Sequence, residues 1–176
     1  KILVVDDDQG LLLSIKATLL SAGLPEPALL SDSRKVMKLV RKQNFQLILL
    51  DLMMPHIGGL ELLQQLKVQF PHIECIVVTS VDEAASAVQA MGYGAYVYLV
   101  KPLNSEKLII TVNRALERHS LRKELSLLQQ NQSFRNFDHP AALKVIFEEE
   151  ESMALVFRQV EALAPTEYSV VLSGES

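Results

Sequence analysis

The chain has no tryptophan, one cysteine, and aromatic residues at only 6% of its 176 positions. A single cysteine excludes an internal disulfide, so the fold must be held by its core, and such sparing use of thiols suits a reducing cytosol. Cys75 lies in the apolar run Ile73 to Val78 and reads as a small core residue. No apolar run approaches the roughly 18 residues of a membrane span, and no signal-peptide pattern is visible. A cytoplasmic location without a membrane partner is therefore expected. An excess of positive charge is also lacking. The net charge is −4 and the isoelectric point about 5.6, which gives no global attraction to nucleic acid. His56, His72, His119 and His139 are scattered and mostly polar-flanked, so they read as surface residues rather than ligands. The chain opens at Lys1 inside a strand-like run and without an initiator Met, so a few preceding residues are expected to be missing.

About half the residues are apolar, enough for a real core, and the length suits one average domain plus an extra segment. The central stretch is Phe45-Gln46-Leu47-Ile48-Leu49-Leu50-Asp51. Its unbroken apolar run is what a strand buried on both faces looks like, and it stops at one carboxylate. Pro55 and Gly58-Gly59 then turn the chain. Four other strand-like runs are Lys1 to Val5, Ala28 to Leu30, Glu74 to Thr79 and Tyr96 to Val100. Between them lie helical stripes. The first carries Leu12, Ile15, Leu19 and Leu20 and ends at Gly23. The second carries Val36, Leu39 and Val40 behind the caps of Ser31-Asp32-Ser33. The third carries Leu60, Leu62, Leu63, Leu66 and Phe70. An Ala-rich helix runs from Asp82 to about Met91, and a last one, capped by Ser105 or Asn104, carries Leu108, Val112 and Leu116.

Five such alternations predict an α/β fold: a doubly wound, five-stranded parallel sheet with helices on both faces. Flavodoxin-like order 2-1-3-4-5 suits five strands, though periodicity alone does not give the order. That order would set strands one and three side by side, so that Asp6, Asp7 and Asp51 share a crevice. Crowded carboxylates repel and raise each other's pKa. A hard divalent cation relieves this, and an all-oxygen site suits Mg²⁺. Strand four ends in Thr79-Ser80 and strand five in Lys101, bringing a hydroxyl and an ammonium to the same rim. Metal, carboxylate nucleophile, hydroxyl and cation together suit transfer of a phosphoryl group to Asp51. Taken singly, each residue has a plainer reading. Asp6 to Asp8 would be a helix cap, Asp51 a loop cap, Thr79 a cap and Lys101 a solvated side chain.

The segments Val4-Val5-Asp6-Asp7, Leu50-Asp51-Leu52-Met53-Met54-Pro55, Val78-Thr79-Ser80 and Leu99-Val100-Lys101-Pro102 resemble the receiver domain of two-component response regulators. The intervals match as well: 45 residues from Asp6 to Asp51, 28 to Thr79 and 22 to Lys101. The resemblance covers residues 1 to about 118. It implies that Asp51 is the phosphoacceptor, that Asp6 and Asp7 hold Mg²⁺, and that Met53 adds its backbone carbonyl. It implies that Thr79 and Lys101 contact the phosphoryl group and that Tyr98 is an aromatic switch following Thr79, with Tyr96 as the alternative. It also implies a cis Lys101-Pro102 bond and a sensor histidine kinase, or a small phosphodonor, as the source. Gly58 stands where the family usually has a polar residue. Asp8 is open between the metal site and a cap for the first helix.

Beyond the receiver, a linker is expected over 119–140. Leu121, Leu125 and Leu128 have the spacing of a short coiled-coil seam, which would make a parallel homodimer; the plainer reading is a solvated helical extension. The acidic run Glu148 to Glu151 reads as a solvated face. Residues 141–176 end in a strand-like Tyr168 to Leu172 and then Ser173-Gly174-Glu175-Ser176. This resembles the start of the ATPase domain of NtrC-like sigma-54-dependent activators, cut off before the Lys of its phosphate loop. The piece is expected to bind no ATP by that loop and to be poorly anchored or packed on another chain. DNA and sigma-54 RNA polymerase would be reached only through domains absent from this chain. The chain is thus expected to be a signalling phosphoacceptor and not an enzyme. Two rivals stand beside that reading. One is a Mg²⁺-dependent phosphohydrolase with Asp51 as nucleophile, disfavoured because Met53 lacks the general acid of a D-x-D pair. The other is a scaffold that dimerises without phosphorylation.

Overall fold

The computed structural model describes residues 1–135, with side chains through residue 126. The segment 141–176, His139 and the side chain of Leu128 lie outside what is described. The strands are β1 (Ile2–Val5), β2 (Ala28–Leu30), β3 (Leu47–Leu50), β4 (Glu74–Thr79) and β5 (Val97–Val100). The helices are α1 (Gln9–Ser21), α2 (Val36–Lys42), α3 (Gly59–Gln69), α4 (Ala84–Gly92) and α5 (Ser105–Arg135). All strand pairs are parallel and the order is β2-β1-β3-β4-β5. The flavodoxin-like order is therefore the observed one.

Alternation along each strand sorts the core into two clusters, one per face. Leu3, Val5, Ile48, Leu50 and Val77 pack with Val36, Val40, Leu62, Leu63, Leu66 and Ala90 from α2, α3 and α4. Ile2, Val4, Leu47, Leu49, Ile76 and Val78 pack with Leu12, Ile15 and Leu19 of α1 and Leu108, Val112 and Ala115 of α5. With both faces covered, every residue of β1, β3 and β4 is buried, which is why these strands read as apolar runs.

The helix ends follow local rules. The Asp8 side chain accepts from the amides of Gly10 and Leu11 at 2.8 and 3.2 Å and so caps α1. At the other end Gly23 takes φ +73°. Leu24 then donates to the Leu19 carbonyl and Gly23 to the Leu20 carbonyl, both at 3.0 Å. Asn104 rather than Ser105 caps α5, its Oδ1 accepting from the Lys107 amide at 3.0 Å. α4 begins two residues later than expected. The chain stays extended through Glu83, and the Val81 carbonyl already accepts the Tyr98 hydroxyl. β5 begins at Val97, although Tyr96 still donates its amide to the Cys75 carbonyl at 2.7 Å.

Residues Lys1–Arg122 form one compact unit. At the amino end of β4 the buried Glu74 meets α5. Its Oε1 lies 3.0 Å from Nη1 of Arg122, and its Oε2 3.6 Å from Nη1 of Arg118. Arg118 also lies over the Tyr96 ring, 5.0 Å from its centroid. At the residue after Arg118, Nδ1 of His119 is 2.9 Å from the His72 carbonyl oxygen. His56 and His72 are exposed, but His119 is part-buried in this contact, a link its polar flanks did not suggest. On α5 beyond it, Leu121 and Leu125 are 54% and 58% exposed, so neither is held in this core. No described helix is long and apolar enough to cross a membrane.

Cys75 is fully buried, as expected, and burial pushes its thiol up from 9.0 to about 11. The folded thiol therefore keeps a proton that the unfolded one loses. The stability this contributes is complete below about pH 9 and is lost as pH rises through about 11. A thiol reagent at pH 8 should leave the native chain unlabelled and modify Cys75 in urea; equal rates in the two states would contradict this burial.

Candidate functional site

Four strand ends meet at the carboxyl edge of the sheet, and the ladder fixes the residues that follow them. Asp51 donates its amide to the Val5 carbonyl at 3.0 Å, Asp6 to Leu30 at 3.2 Å, and Lys101 to Thr79 at 2.8 Å. The side chains then converge. Nζ of Lys101 donates to Oδ2 of Asp6 at 2.7 Å and to Oδ2 of Asp51 at 2.8 Å. The remaining oxygens accept backbone amides: Oδ1 of Asp6 from Asp8 at 2.9 Å, and Oδ1 of Asp51 from Met53 at 3.1 Å. The Lys101–Pro102 bond is cis.

Asp6 and Asp51 are 2% and 3% exposed, whereas Asp7 faces solvent. Burial raises the Asp6 pKa above its ordinary value, against the lowering pull of Lys101 and of the Asp8 amide. For Lys101, burial alone would lower the pKa, but the hydrogen bonds to Asp51 and Asp6 outweigh it and hold the ammonium above its usual range. Each of Asp6, Asp7 and Asp51 offers an oxygen within 4.8 Å of the others. The donor set is all carboxylate, with no sulfur or imidazole, and one member is open to solvent. That chemistry fits a hard divalent cation.

Thr79 is fully buried, and its Oγ1 accepts the Val81 amide at 3.3 Å. The Tyr98 hydroxyl donates to the Val81 carbonyl at 2.6 Å. Val81 thus links Thr79 to Tyr98. Burial, with Asp82, Glu83 and Asp51 nearby, raises the Tyr98 pKa. Tyr96 packs with the cluster on the opposite face of the sheet, under Arg118. Met53 is largely exposed, and the contact it makes with Asp51 is through its amide.

The loop from Asp51 to Gly59 holds features that residue types alone did not reveal. Ile57 donates its amide to the Pro55 carbonyl at 3.1 Å, with His56 between them at φ +76°, a γ-turn in the left-handed region. Ser33 is buried and bonds both ends of that turn. Its hydroxyl donates to the Pro55 carbonyl at 2.8 Å and accepts the Ile57 amide at 3.2 Å. In sequence Ser33 looked like one of several caps for α2. α2 itself has no side-chain cap; Asp32 accepts the Arg34 amide at 3.1 Å and caps a 3-10 turn over Ser33–Lys35 that leads into α2. Gly59 donates its amide to the Leu52 carbonyl at 3.0 Å and leaves no room for a side chain.

Residues 2–113 match the family described as the response regulator receiver domain. This chain belongs to that family. It is 31% identical over 176 residues to the transcriptional regulatory protein ZraR of Escherichia coli, covering 99% of this chain and 37% of that protein. It is 34% identical to the C4-dicarboxylate transport transcriptional regulatory protein DctD of Pseudomonas aeruginosa, covering 100% of this chain and 37% of that one. The solution structure of the beryllofluoride-activated NtrC4 receiver domain dimer aligns with a TM-score of 0.64 at 31% identity. That match covers 67% of this chain and 96% of the other. The chain spans little more than a third of the length of the curated relatives it matches.

Proposed function

We propose that this receiver accepts a phosphoryl group on Asp51 from the phosphohistidine of a sensor kinase or from a small phosphodonor. The observation that carries the reading is Lys101, whose ammonium is shared at 2.7 and 2.8 Å between two buried carboxylates. In transfer from phosphohistidine, an oxygen of Asp51 forms the new P–O bond as the donor's P–N bond breaks, and the electron pair leaves on the imidazole, which takes a proton from solvent. With acetyl phosphate the bond broken is P–O and acetate leaves with the pair. Lys101 offsets the charge gathering on the phosphoryl oxygens, and Thr79 hydrogen-bonds one of them. Asp6, Asp7, Asp51 and the Met53 carbonyl would hold Mg²⁺, which would supply further positive charge there. When Thr79 turns toward the phosphoryl group it releases the Val81 amide, and Tyr98, bonded to the Val81 carbonyl, follows. The phosphorylated state is a population shift between two arrangements of this side of the domain.

The domain reading is a receiver over 1–118, a helical linker over 119–140 and a partial ATPase segment over 141–176. The continuous α5 and the exposed Leu121 and Leu125 support the linker. Leu128 would complete a seam through which two cytoplasmic copies pair. The similarity to ZraR and DctD, each called a transcriptional regulatory protein, supports a whole protein that regulates transcription. On this reading it is an NtrC-like sigma-54-dependent activator whose ATPase and DNA contacts lie in parts not contained here.

Incubation with acetyl phosphate and Mg²⁺ should add one phosphoryl mass to the chain and none to Asp51→Asn. Modification that survives Asp51→Asn would refute the assignment. Phosphate release far beyond one equivalent would favour the phosphohydrolase, and no modification at all the scaffold. Light scattering with and without beryllofluoride then reads whether phosphorylation makes or breaks the dimer.

A further inference from the structure

We propose that Ser33 is a positioning residue for phosphoryl acceptance: its hydroxyl staples the γ-turn at Pro55–His56–Ile57 and so holds the loop that carries Asp51 in its accepting shape. The proposal rests on the phosphoacceptor reading of Asp51.

The loop is closed at both ends. At one end Asp51 leaves β3 and folds its carboxylate onto the Met53 amide. At the other, Gly59 donates to the Leu52 carbonyl as α3 begins. Between them, the only tight reversal is at His56, whose φ of +76° is one that a residue with a Cβ rarely adopts. Such a conformation persists when its surroundings over-determine it. Here the γ-turn's own bond is joined by a hydroxyl that bonds the same carbonyl and the same amide. Ser33 comes from the segment after β2. β2 and β3 flank β1, so the staple joins the two loops on either side of the Asp6–Asp8 loop. A buried hydroxyl with a donor and an acceptor both engaged defines a position more narrowly than apolar packing does. Alanine would leave the Pro55 carbonyl and the Ile57 amide with only each other, and His56 would tend toward negative φ. The Met53 amide, and with it the Asp51 carboxylate, would then sample other positions. Displacements on the scale of one ångström at a reacting group are enough to slow a reaction substantially.

The test uses the chain of 176 residues with Ser33→Ala, Ser33→Thr, His56→Gly and the double variant Ser33→Ala/His56→Gly. The rate of phosphorylation by acetyl phosphate with Mg²⁺ is read by intact mass, and urea melts establish that each variant is folded at the assay temperature. Ser33→Ala should be phosphorylated roughly tenfold more slowly. The double variant should recover most of that loss, because glycine adopts positive φ freely and the turn then needs no staple. Ser33→Thr, which keeps the hydroxyl, should stay near the wild type. A wild-type rate for Ser33→Ala overturns the proposal. So does a loss that His56→Gly leaves unrestored, which would mark Ser33 as a contributor to stability alone. An unmodified wild-type chain defeats the phosphoacceptor reading itself and the proposal with it, an outcome distinct from either.

Discussion

Alanine at position 59 should deprive the chain of both stability and phosphorylation. A Cβ built on Gly59 would stand 2.1 Å from the Asp51 carbonyl oxygen and 2.4 Å from the Leu52 Cα. Both neighbours are backbone, so no side chain can swing aside. Either the start of α3 lifts away or the Asp51–Leu52 peptide moves, and the latter carries Asp51 out of reach of Lys101. Overpacking a buried contact of this kind costs roughly 3 kcal/mol, a drop in Tm of about 10 °C for a domain of this size. The neighbouring glycine supplies the contrast. Nothing lies within 4 Å of a Cβ at Gly58, which is the N-cap of α3 and has no side chain to accept an amide. Gly58→Ser should therefore be neutral or stabilising by a few tenths of a kcal/mol, roughly. Thermal melts of the two variants, together with acetyl phosphate labelling, separate the positions. Melting of Gly59→Ala at the wild-type temperature would show that the contact is not what the geometry says.

The second large effect is expected at the far end of β4. Glu74 is a 1% exposed carboxylate whose ionic partners are Arg118 and Arg122, one helical turn apart on α5. Its Oε2 has no hydrogen-bond donor among the described residues, so it depends on the charge of Arg118 at 3.6 Å. Removing both arginines would strand a buried charge, which typically costs about 3 kcal/mol or more. Urea unfolding of Arg118→Ala/Arg122→Ala should show that loss. Adding Glu74→Met to the same chain should return much of it, since an apolar side chain of similar volume needs no counter-ion there. A double arginine variant as stable as the wild type, or no recovery from Glu74→Met, would mean that the pair does not hold α5 against the sheet. Phosphorylation by acetyl phosphate should be little changed in either case, because the clamp and Asp51 lie at opposite ends of the sheet.

How much of this was legible beforehand depends on the range of the physics involved. The five strands, the helices and the polar residues at four strand ends are written in local signals. These are apolar runs bounded by Gly and Pro, three-and-four spacing, and a carboxylate, hydroxyl or lysine where each run stops. By residue type Asp8 suits either a cap or a ligand; it caps α1, because its own chain supplies the amides two and three residues on. Tyr98 and Tyr96 could not be separated by composition, since both flank Val97. The sheet face decides which of them reaches Val81, and a face is known only once both neighbouring elements are placed.

By itself, then, the order of residues determined the alternation of strands and helices and which side chains stand at the strand ends, because backbone periodicity and turn preference act over a few residues. Only the folded chain decided that Ser33 would bind a turn 22 residues away, that Gly59 would admit no side chain, and that Glu74 would find its arginines on α5. Each of those depends on which atoms arrive opposite one another across the core, and short-range pattern does not carry that information.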